Sequence, residues 1–187
     1  MSLADRVWWT KKTRTQAEKR LLSNDFYSQV ILLWYSVFLV FVSIYELKDA
    51  SENTYFAVMM VALSVLILCA TLFVNNRSFK ERAMLIKQCY EQLGVIYGKS
   101  CSEKYSNDDL EAEYQRILSI CENHKDIDYK CAVVSEYYNT PRNKRDSLLT
   151  KHPTCMQNLF VIFYYFIKFS FITVLLFLPL CIYFGLR

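Results

Sequence analysis

Glycine and proline are almost missing from this chain, with three of each in 187 residues. Strand-like alternation is rare as well, so the sequence reads as helical rather than as turn-rich β structure. Histidine is scarcer still, limited to His124 and His152. There is no Gly-x-Ser-x-Gly, phosphate-binding loop, dinucleotide fingerprint or His-Glu-x-x-His. That removes the sequence signatures of serine hydrolases, nucleotide-cofactor enzymes and zinc proteases. No catalytic constellation emerges, and the expectation is a non-enzyme without a cofactor. The seven cysteines are odd in number and form no Cys-x-x-Cys. They read as reduced thiols acting as small hydrophobes on the cytoplasmic side. Cys121, His124 and Cys131 match no standard zinc spacing and lack a fourth ligand, so no metal is expected.

Charge is missing from long stretches. Phe26–Tyr45 and Tyr55–Val74 carry none, and Leu159–Leu186 carries only Lys168. Each run is long enough to cross a hydrocarbon core of about 30 Å as a helix of about 20 residues. The expected plan is residues 1–25 as a cytoplasmic helix and 26–45 as a first span. A turn at 46–54 and a second span at 55–74 follow. Residues 75–157 then form a helical lobe, and 158–187 a third span or an interfacial helix leading into one. The charged segment before the first run is too long for a cleavable signal peptide and no small-residue cleavage site follows, so that run reads as a retained anchor.

Basic residues set the orientation. Arg6, Lys11, Lys12, Arg14, Lys19 and Arg20 precede the first run, and Arg77, Lys80, Arg82 and Lys87 follow the second. The turn carries Glu46, Asp49 and Glu52 against Lys48. By the positive-inside rule the N-terminus and lobe are cytoplasmic and the turn is outside. The lobe itself is almost balanced between acid and base, which argues against direct nucleic-acid binding. Its one dense basic cluster, Arg142, Lys144 and Arg145, lies next to the third run and suits lipid headgroups or a ligand phosphate.

Two helical stripes flank the first two runs. Leu3, Val7, Thr10, Arg14, Ala17 and Leu21 recur at steps of three and four, as do Phe79, Ala83, Ile86, Tyr90, Leu93 and Tyr97. Such stripes pack helix on helix. Each looks continuous with its span, predicting two long helices over about 3–47 and 55–98 that form a transmembrane hairpin with a cytoplasmic stalk. Arg14 inside its stripe reads either as a partner of Glu18 one turn on or as a buried polar contact that registers the stalk. Beyond Gly98, a helix opens after Ser106 with Leu110, Tyr114, Ile117, Leu118 and Cys121 on one face. A turn at 122–126, a second helix at 128–138 and a linker at 139–151 complete the lobe.

Hydroxyls within the runs come in spaced pairs: Ser36 with Ser43, Ser64 with Thr71, and Ser170 with Thr173. Each pair shares a helix face. Two readings stand together, namely close helix–helix packing and a weakly polar stripe lining a water path in an oligomer. Lys168 would mark function at mid-bilayer. The third run is about 42 Å long as a helix, however. A span beginning at Phe169 lets Lys168 snorkel to the interface, with the aromatic stretch 159–167 in the headgroup belt. Pro179 is a candidate kink.

Several segments resemble the SLATT family of bacterial two-span membrane effectors. They are Lys12-Thr13-Arg14, Ala17-Glu18-Lys19-Arg20-Leu21-Leu22 and Trp34-Tyr35-Ser36, then Tyr114-Gln115-Arg116-Ile117-Leu118, Glu122-Asn123-His124 and Asp126-Ile127-Asp128-Tyr129. The resemblance covers roughly residues 5–140, and the third run departs from the two-span plan. It implies an effector beside nucleotide-second-messenger, nucleotide-sensing or reverse-transcriptase genes. Such an effector forms a membrane pore that kills or arrests the infected bacterium when a partner signals phage attack. His124 and Asp128 are family-pattern residues, expected to cap and pack the lobe.

The combined expectation is an all-α membrane protein of the bacterial inner membrane that assembles as a homo-oligomeric pore. An adaptor that anchors a cytoplasmic partner is the alternative reading. A transporter subunit is disfavoured by the scarcity of intramembrane charge and glycine.

Overall fold

The computed structural model describes residues 2–48, 54–102, 105–120 and 122–186. Asp49, Glu52 and Cys121 from the sequence analysis lie outside these. The elements are α1 (Leu3–Lys48), α2 (Thr54–Asn76), α3 (Phe79–Ser100), α4 (Asn107–Ile120), α5 (Asp126–Asn139), a 3-10 turn (Arg142–Lys144), α6 (Arg145–Leu148) and α7 (Cys155–Leu186). The described residues contain no strand. Helices α1, α2 and α7 are each long and apolar enough to cross a membrane, as the three apolar runs require. The chain divides into two compact units, Met1–Leu22 with Lys80–Tyr165, and Ser23–Phe79 with Phe166–Arg187.

The first unit has a packed helical core. Val7 of α1 packs with Cys89, Leu93 and Ile96 of α3 and with Leu110, Tyr114 and Ile117 of α4. All seven are buried. Burying a Val, Leu or Ile side chain stabilises by roughly 1.5–3 kcal/mol, so these few positions account for much of the unit's cohesion. Ala17 and Leu21 of the first stripe, and Ala83 and Ile86 of the second, are buried too. The α1 half of the predicted stalk therefore packs in one core with α3 and α4. Charged pairs fix the helices around it: Arg6 with Glu111 at 2.6 Å, Lys12 with Glu136 at 2.9 Å and Lys99 with Glu113 at 2.9 Å.

The second unit contains the first two apolar runs and the third from Phe166 onward. Phe38 and Val42 of α1 and Phe56 of α2 form a small buried cluster, against which Met60, Leu180 and Tyr183 pack. The Tyr183 ring lies edge-on to Phe38 at 6.3 Å and to Phe56 at 5.9 Å. Bonds from α1 to α7 join residues 145, 144, 142 and 140 apart as α1 is followed from Ser23 to Tyr35. The two helices therefore run in the same direction. Most other large side chains of the runs face outward, as lipid-facing helices do.

One prediction needs correction. The second long helix is not continuous over 55–98. α2 ends at Asn76 and α3 begins at Phe79. Arg77 and Ser78 turn back onto Val74 and Asn75 through three-residue bonds, and Ser78 takes φ 45°. The segment Asn75-Asn76-Arg77-Ser78 supplies three residues, Asn75, Asn76 and Ser78, that favour turns over helix interiors. The boundary between the units falls one residue further on.

Candidate functional site

Two polar sites stand out, one in each unit. In the first unit, α1 carries Thr13 and Arg14, both almost fully buried. One turn and a half further on, Arg20 grips Asp128 of α5 through both carboxylate oxygens, at 2.7 and 3.0 Å. Asp128 is 2% exposed. It also accepts the backbone N–H of Lys125, the residue that precedes α5, at 2.9 Å. One carboxylate thus holds the start of α5 and ties it to α1. His124 lies just before that helix, where burial and then the Arg14 charge depress its pKa. Its ring is held neutral, the form that a positive neighbour favours. Tyr90 of the second stripe is pushed up to about 12 by burial, with the Glu18 carboxylate adding to the shift. Glu18 therefore faces Tyr90 in addition to standing one turn from Arg14.

Nothing in this arrangement resembles a nucleophile and base. Burial raises the Cys131 thiol, which keeps it from the reactive thiolate form. No group of metal-binding side chains occurs among the described residues. Of the basic cluster, Arg145 is committed to structure. It stacks over Tyr137 at 4.1 Å and donates to the Thr140 carbonyl at 3.1 Å. Arg142 and Lys144 remain exposed. The predicted linker is a docked strap: Leu149 is buried, and Thr150 accepts from Trp9 Nε1 at 2.7 Å and donates to Asp5 at 2.6 Å.

In the second unit, the hydroxyls of the paired serines and threonines bond within their own helices. Ser36 donates to Leu32, Ser43 to Leu39, Ser64 to Val61, Thr71 to Ile67 and Thr173 to Phe169, at 2.7–3.0 Å. Ser36, Ser43 and Ser64 are exposed, and Thr71 and Ser170 partly so. Lys168 donates to Ser23 at 2.8 Å and to Asn24 at 3.1 Å, and lies 5.3 Å from the Tyr27 ring. Ser23, Asn24 and Asp25 are the last polar residues before the first run, so Lys168 stands level with the edge of that run rather than its middle.

A third feature joins residues that the sequence showed separately. Trp34 Nε1 and Tyr35 Oη donate to the carbonyls of Leu176 and Leu175 on α7, at 3.0 and 2.9 Å, next to Pro179 inside that helix. Proline in an apolar helix signals an orphaned carbonyl four residues earlier, and an interior Trp-Tyr pair on another span is a suitable donor. The Arg20–Asp128 pair carried no comparable signal, because the two residues are 108 apart.

The chain matches the SMODS and SLOG-associating 2TM effector domain family 5 over residues 1–183. It belongs to that family. No curated protein and no solved structure matches it. The SLATT match runs through the third apolar helix, beyond the 5–140 stretch that carried the resemblance. Membership points to a membrane effector of defence systems, and the three apolar helices fit a lipid bilayer.

Proposed function

We propose that this SLATT protein is a non-enzymatic effector that assembles with copies of itself into a pore. In this reading it permeabilises the bacterial inner membrane when a partner or nucleotide signal reports phage attack, with N-terminus and lobe in the cytoplasm. The observation that carries the reading is the outward placement of Ser36, Ser43 and Ser64 with their hydroxyls turned onto their own helices. Three helices cannot enclose a water path, whereas weakly polar outer faces on α1 and α2 can line one between several copies. Partners next to this chain in the cell would be nucleotide-signalling, nucleotide-sensing or reverse-transcriptase proteins.

Currents across planar bilayers holding the purified full chain test this directly. The expected result is discrete conductance that falls at least about ten-fold in the double variant Ser36→Leu/Ser43→Leu, which blocks a polar lining with apolar bulk. Absence of current from the wild-type chain both alone and with its genomic neighbours would defeat the proposal. The adaptor reading draws on Tyr138 and Leu148, which are 62% and 63% exposed on the first unit. It predicts partner capture without conductance.

A further inference from the structure

Pro179 has no N–H, so the Leu175 carbonyl lacks the helix bond that its neighbours make. In hydrocarbon such a group is costly unless another donor reaches it. Thr173, nearby on α7, is committed to the Phe169 carbonyl. The donor comes from α1 instead, as the Tyr35 hydroxyl, at 2.9 Å. Trp34 adds a bond to the adjacent Leu176 carbonyl at 3.0 Å. Tyr35 and Pro179 are both buried. Past the proline, Leu180 and Tyr183 pack against the Phe38, Val42 and Phe56 cluster.

We propose that Trp34 and Tyr35 form a clasp on α7 at Pro179, and that residues 180–186 are a hinged tail held closed by it. A helix missing one ladder bond bends there more readily than an intact one. Interhelical hydrogen bonds in membranes are individually modest, so the clasp favours the closed position without locking it. Release of the Tyr35 hydroxyl uncovers the Phe38 and Phe56 face on α1 and α2. The clasp stands independently of the pore reading, and its use as a gate rests on that reading.

Hydrogen exchange of the full chain in lipid nanodiscs tests the clasp. Tyr35→Phe, which removes one oxygen and little volume, is expected to speed exchange over 180–186 by roughly three- to ten-fold. It should leave 159–167, on the near side of the proline, unchanged. Pro179→Ala supplies the missing N–H to Leu175, so Tyr35→Phe should then have little effect. An unchanged tail in Tyr35→Phe overturns the clasp. So does acceleration spread evenly along α7, or an equal effect of Tyr35→Phe in both backgrounds. Should Pro179→Ala fail to fold, the contrast between 180–186 and 159–167 in Tyr35→Phe alone decides. Planar-bilayer currents from the same variants separate clasp from gate. Faster tail exchange with larger current supports both, and faster exchange with unchanged current keeps the clasp and overturns the gate.

Discussion

Asp128 has two tasks that an amide cannot fully share. It accepts both Arg20 contacts and the Lys125 backbone N–H, with Arg20 at 12% and Asp128 at 2% side-chain exposure. Breaking one partner of a buried pair leaves the other charge uncompensated. Asp128→Asn is therefore expected to destabilise the first unit by about 2–4 kcal/mol, seen as an apparent Tm about 10 °C lower in thermal unfolding of the solubilised chain. His124 gives a pH dependence of definite sign. Its folded pKa lies below the ordinary value of 6.5, so the unfolded chain takes up the proton first. Stability is then full above about pH 6.5 and declines as pH falls from there toward the folded pKa, where the loss levels off. A Tm series from pH 7.5 to 5 should show this decline in the wild type, and a flatter profile in His124→Gln.

At the scale of elements, the sequence carried its longest patterns faithfully and its breaks poorly. The three apolar runs are helices, and Val7, Ala17, Leu21, Ala83, Ile86 and Leu93 of the two stripes are buried. Periodicity shows which face of a helix is wet. It could not show that α4 shares the α1 and α3 core, since that depends on tertiary pairs far apart in sequence. Nor did it locate the interruption at Ser78, where four polar residues outweigh a pattern that continues on both sides. Ser78 at φ 45° is the one non-glycine residue in the left-handed region among those described. Ser78→Gly is expected to raise stability by roughly 0.5–1 kcal/mol, and Ser78→Val to lower it by more, because a β-branched side chain is strained there. Denaturation midpoints of the two variants, moving in opposite directions from the wild type, would check this. The hydroxyl pairs were legible as positions on a face. Whether that face meets lipid or another copy was not, since a single chain does not contain its neighbour.

For the whole molecule, the parallel course of α1 and α7 in the second unit makes a topological prediction. With α1 entering from the cytoplasm, α7 crosses in the same direction and its end emerges outside. A phosphatase fused after the last residue should be active in intact cells and a fluorescent-protein fusion dark, and the reverse pattern would contradict this topology. Lys168 fits this course. Held by Ser23 and Asn24, it keeps polar partners at the edge of the apolar run, where charge is tolerated better than at the bilayer centre. The central claim, that copies of this chain open the membrane on a signal, is tested most directly by dye-reported membrane potential. The protein is induced in bacteria together with its genomic neighbours, before and during phage challenge. The account predicts depolarisation during challenge that disappears in Ser36→Leu/Ser43→Leu. An unchanged potential throughout, with the protein confirmed in the membrane, would contradict it.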